Sequence, residues 1–79
     1  MIVSKVTIRP TQHYLAFHDN VPWDLVVVTI LSPNKIRLNS QYGKNRFTFV
    51  KIFGDFATEV HIKKDENFIW VINAFRMRR

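Results

Sequence analysis

Residues 2–8 alternate along the chain, with Ile2, Ser4, Val6 and Ile8 on one side and Val3, Lys5 and Thr7 on the other. The alternation and the β-branched residues predict a short strand, and Pro10, which cannot donate to a ladder, ends it. Thr11 is placed to cap a helix over 12–18, whose Tyr14, Leu15 and Phe17 supply an apolar stripe. The stretch 21–31 reads two ways. Its run of Val26, Val27, Val28, Thr29 and Ile30 has low helix propensity and by that measure is a buried strand. Its flanks favour a helix: Asn20 can cap, Pro22 suits a first turn, Asp24 complements the helix dipole, and Ser32 with Pro33 stops the segment. Trp23, Val26, Val27, Ile30 and Leu31 recur at helical spacing, and we read a helix.

From residue 35 the period changes to two. Ile36 and Leu38 alternate with Arg37 and Asn39, a turn follows around Gly43, and 46–53 is a strand rich in Phe and Val closed by Gly54 and Asp55. In 56–63, Val60 and Ile62 oppose Glu59, His61 and Lys63. After a turn over 64–66, the stretch 67–79 opens with Phe68, Ile69, Trp70, Val71 and Ile72 and ends in Arg76, Met77, Arg78 and Arg79. Its first part has the composition of a strand buried on both faces, and its second part carries three guanidinium groups out of the sheet. Turn signals about eleven residues apart predict an antiparallel meander.

Charge then changes the picture. Residues 1–34 are neutral, whereas 35–79 hold ten basic and four acidic groups, so the whole net charge of +6 sits on the predicted sheet. Such a field attracts nucleic acid or an anionic membrane surface, although a basic balance can also serve solubility alone. The chain's 79 residues make one domain, 1–79. Cysteine is absent, which excludes disulfides and thiolate metal sites and suits the cytoplasm. No signal-peptide pattern or spanning apolar run is present, so no membrane role is expected.

Glu59, His61 and Lys63 share one strand face and could supply a base, an acid and a phosphate anchor, or could simply be the wet face of a hairpin. His13 and His18 lie five apart with no third ligand, so no metal site is expected, and His13 reads as a buried structural residue. Arg37, Lys44, Arg46, Lys51, Arg76, Arg78 and Arg79 form a phosphate track if they gather on one sheet face. Tyr42, Phe47, Phe49 and Trp70 lie among them and could stack on bases, but most are better read as core. Phosphate loops and nucleophile elbows are missing, which argues against nucleotide and serine hydrolysis.

The order of elements, with TQHYLAF (His13), VPWDLVVVTILSP, YGKNRFTFV (Arg46) and a closing VINAF followed by basic residues, resembles the small RelE- and BrnT-like toxins of the barnase/RelE-type ribonucleases. The likeness covers nearly the whole chain. It implies an α+β fold in which an N-terminal strand and two short helices pack on one face of an antiparallel four- to five-stranded sheet. It also implies a cytoplasmic, cofactor-free and metal-independent endoribonuclease that cleaves RNA, free or on a ribosome, by attack of the 2′-hydroxyl on the phosphate, neutralised by a cognate antitoxin. On this likeness Arg46 and Arg76 stabilise the phosphate and Glu59 or His61 is the acid or base. Arg37, Lys44, Lys51, Lys63, Arg78 and Arg79 would hold the RNA. The composition also admits a nucleic-acid-binding module without catalysis, or a small basic inhibitor that docks on an acidic protein.

Overall fold

The computed structural model describes residues 7–18 and 20–78. Most of the predicted first strand, and the RNA contact expected of Arg79, fall outside them. The elements run β1 (Thr7–Pro10), α1 (Gln12–Phe17), α2 (Trp23–Leu31), β2 (Lys35–Leu38), a 3-10 turn (Ser40–Tyr42), β3 (Arg46–Phe53), β4 (Phe56–Lys64) and β5 (Phe68–Arg78). The sheet order is β1-β5-β4-β3-β2.

The expected antiparallel sheet is corrected here: the sheet is mixed. β2 to β5 form an antiparallel meander, but β1 pairs with β5 in parallel, with Thr7 opposite Phe68 and Pro10 opposite Val71. This five-stranded α+β domain therefore departs from the RelE-like architecture that the resemblance implied. The cause lies in what turns can report. They set the pairing of strands adjacent in the chain, whereas β1 meets β5 only after both helices and three strands have intervened.

The β-branched segment is a helix. α2 buries Val26, Thr29 and Ile30, positions three and four apart, against β3 and β4. Burial of such side chains, each worth roughly 1.5–3 kcal/mol, outweighs their few tenths of unfavourable propensity. The Thr29 hydroxyl donates to Leu25 O at 2.6 Å, so its burial leaves no orphan donor. Pro22, not Asn20, stands at the N-cap and offers no side-chain bond, while Asp24 occupies the first turn. In α1, Thr11 is the cap as expected, its Oγ1 accepting from Tyr14 N–H. Only Tyr14 of the expected stripe is buried; Leu15 and Phe17 are exposed. Tyr14, Val21, Val26, Ile30, Val60, Ile62, Val71 and Ala74 make the core between the helices and one face of the sheet. Among the described residues, no helix is long and apolar enough to cross a membrane.

Candidate nucleic-acid interface

Strand register divides the sheet's side chains. Phe49, Val60 and Ala74 lie opposite one another and point to the helices. Thr48, His61 and Asn73 form the next row across, with Arg37 beside Thr48, and so face the other way, onto the side without helices. Glu59, Arg46 and Lys63 are two residues removed along their strands and share this open face, as the spacing of Glu59, His61 and Lys63 predicts. The 3-10 turn folds back over it. Asn39 Nδ2 donates to Thr48 Oγ1, and this contact helps bury Thr48 and brings Tyr42 to the rim.

One irregularity makes the face what it is. The pairing of β4 with β5 shifts between His61 and Ile62, which leaves Ile72 without a counterpart and forms a bulge. Val71 points inward, so strict alternation would send Asn73 and Phe75 inward too. The bulge reverses them, setting Asn73 beside His61 and Phe75 across from Glu59. It also turns Arg76 to the helix side, opposite Thr58.

The expected site is thus split between two faces. Arg46, Glu59 and His61 gather on the open face, with Arg37 and Lys63. Arg76 lies on the opposite face, its guanidinium 4.1 Å from the centre of the Phe56 ring. Lys51 is on Arg76's side, opposite Thr58, and its ammonium donates to Ser32 O at 2.8 Å, which ties β3 to the end of α2. Arg78 sits opposite Phe56 and lines a shallow hollow of about 620 Å³ with Arg76 and Asn20. Lys44 stands exposed in the turn before β3. The single phosphate track expected of all these cations does not form, because side-chain direction on a strand alternates and the bulge inverts the second half of β5.

On the open face, His61 Nε2 lies 2.7 Å from Glu59 Oε2, and Asn73 Nδ2 lies 3.4 Å from His61 Nδ1. An amide donor at Nδ1 leaves the neutral ring's proton on Nε2, from where it is donated to the carboxylate. Arg37 Nη2 donates to the other carboxylate oxygen at 3.2 Å. Glu59 and His61 are both about one-fifth exposed, so the pair is sheltered yet reachable. A cleft of about 210 Å³ runs past it, lined by Arg46, Tyr42, His61, Asn73 and Phe75 among others. Tyr42 and Phe75 are exposed aromatics, 62 % and 39 %, and both can stack on a base. Asn73 and Phe75 are the residues missed by sequence reading, since their direction depends on the bulge.

Phe75 also joins the remaining histidines to the face. Its ring meets His61 edge-on at 5.5 Å and His18 at 5.0 Å between centroids. His18 Nδ1 lies 3.1 Å from Ala74 O and its Nε2 lies 3.2 Å from His13 Nε2. His13 is exposed, not the buried residue expected. Trp70 is half-buried on the open face, where it stacks on Phe68 and donates to Asp65 at 3.0 Å. Groups of three or more metal-ligating side chains are absent among the described residues. Compared with family models, curated proteins and solved structures, the chain finds no match.

Proposed function

We propose that the protein is a metal-independent endoribonuclease of toxin type, acting in the cytoplasm on RNA that enters the open-face cleft and restrained by a cognate antitoxin. The observation that carries this reading is the Glu59–His61 pair at 2.7 Å, whose imidazole lines a cleft together with Arg46, Tyr42 and Phe75. Support for the toxin part comes from the resemblance of the TQHYLAF, YGKNRFTFV and VINAF segments alone. Glu59 and His61 act as one proton-transfer unit that takes the 2′-hydroxyl proton as the hydroxyl attacks phosphorus. Arg46, which lines the cleft, neutralises the phosphate; Arg37 is engaged by Glu59 and sets the carboxylate's position. Attacking and leaving oxygens stand on opposite sides of phosphorus. Two groups in direct hydrogen bond cannot straddle it, so the pair serves the attacking side and water protonates the 5′ oxygen. Arg76, on the other face, takes no part.

Incubation of a single-stranded RNA in EDTA tests the reading. Wild type should cleave, and His61→Gln and Glu59→Gln should each slow cleavage by roughly 100-fold or more, the usual contribution of a general acid or base. RNA left intact by wild type rejects it. The engagement of Glu59 by Arg37 favours one second reading, a nucleic-acid-binding module whose carboxylate is structural. That reading predicts salt-steep binding without turnover.

A further inference from the structure

The strand at the far edge of the sheet carries chemistry that the ribonuclease reading does not use. All four residues of β2 are exposed, and its outer edge is uncovered among the described residues. Asn39 N–H donates to Arg46 O at 2.8 Å, continuing the β2–β3 register by one residue. In an antiparallel ladder, residues that bond to the partner alternate with residues that do not. Arg37 and Lys35 therefore turn their backbone groups to β3 as Asn39 does. The N–H and C=O groups of Ile36 and Leu38 point out from the edge.

The side chains on this edge differ by face. Ile36 and Leu38 lie on the helix side, opposite Phe49 and Phe47, yet are 58 % and 64 % exposed because the helices do not reach them. Lys35 and Arg37 lie on the open side. We propose that β2 accepts, by strand addition, an extended segment of a partner protein in which apolar and acidic residues alternate. The apolar residues would cover Ile36 and Leu38, the acidic ones would face Lys35 and Arg37, and the outward backbone groups would gain their missing bonds. The proposal does not depend on the ribonuclease reading.

Charge selects this occupant over a second copy. In an antiparallel pairing of two β2 strands that sets Ile36 opposite Ile36 or Leu38, Arg37 faces Lys35 or another Arg37. Like charges directly opposite are destabilising, and each molecule already carries +6. A short basic edge is guarded against its own kind, and the same charges favour an acidic strand. A nucleic acid could meet Lys35 and Arg37 but would leave Ile36, Leu38 and their backbone groups uncovered.

The experiment is fluorescence anisotropy with a labelled octapeptide of alternating Glu and Val, beside one of alternating Lys and Val. The acidic peptide should bind and the basic one should not. Ile36→Lys with Leu38→Lys should weaken binding at least ten-fold, and Lys35→Glu several-fold; all three side chains are exposed, and amide NMR spectra verify that the variants are folded. In the wild type, the Ile36 and Leu38 amides should become protected from exchange when the acidic peptide is added. The proposal is overturned by absent binding, by affinity unchanged in both variants, or by amides that stay unprotected. Self-association in sedimentation that the Lys35→Glu variant strengthens would likewise overturn it.

Discussion

At Glu59, four side chains from three strands form one carboxylate-centred network: Arg37 from β2, Glu59 and His61 from β4, with Asn73 of β5 behind the imidazole. The period of two made the Glu59–His61 neighbourhood legible from sequence alone, because residues two apart on a strand share a face whatever the fold. The partnership with Arg37 was not legible, since it depends on cross-strand register. The helix side holds a different kind of residue. Thr58 Oγ1 is buried with no hydrogen-bond partner among the described residues. A buried hydroxyl without a partner is a liability, so Thr58→Val should raise unfolding stability by about 1 kcal/mol, seen as a higher urea midpoint at unchanged slope. A lower midpoint would mean that the hydroxyl is satisfied. Tyr14 is the counter-example: its hydroxyl donates to Val21 O at 2.6 Å in the core. Tyr14→Phe should cost about 1–2 kcal/mol in the same assay, as it leaves a buried carbonyl short of a donor.

At the scale of elements, capping and turn chemistry carried the reading a long way. Thr11 begins α1, Ser32 and Pro33 follow the end of α2, and the two-residue turn at Gly54 and Asp55 joins β3 to β4. Gly54 adopts φ 62°, a left-handed conformation that side chains disfavour, although no atom would crowd a Cβ there. Gly54→Val should therefore destabilise the hairpin by roughly 1–2 kcal/mol through backbone strain, and Gly54→Asn by less, because Asn visits this region most readily. Equal losses in urea unfolding would point to a cause other than φ. Two features of the sheet had no local signal. The pairing of β1 with β5 joins the two ends of the fold, and the bulge at Ile72 is a mismatch between strands that neither strand's own pattern records. The bulge decides the site, because it delivers Asn73 and Phe75 and withdraws Arg76.

Across the whole molecule, the basic charge of residues 35–79 is divided between two faces rather than concentrated on one. Composition reported the amount of charge correctly and could not report its side. The open face combines Arg46 and Lys63 with Arg37, the paired Glu59 and His61, and exposed aromatic edges, so it suits a single strand whose bases can stack. About three phosphate contacts there would give a slope near −2 in a plot of log affinity against log salt for a single-stranded RNA. A slope near zero would exclude binding driven by these cations.

The placement of the RNA on this face is tested most directly by mapping amide NMR shifts as oligouridine is titrated into the Glu59→Gln variant, chosen so that the RNA stays uncut. The account predicts that Arg46, Thr48, His61, Asn73 and Phe75 move together and saturate at one concentration, while Lys51, Thr58 and Arg76 stay still. Shifts that centre on Lys51, Arg76 and Arg78, with the His61 row unmoved, would contradict it.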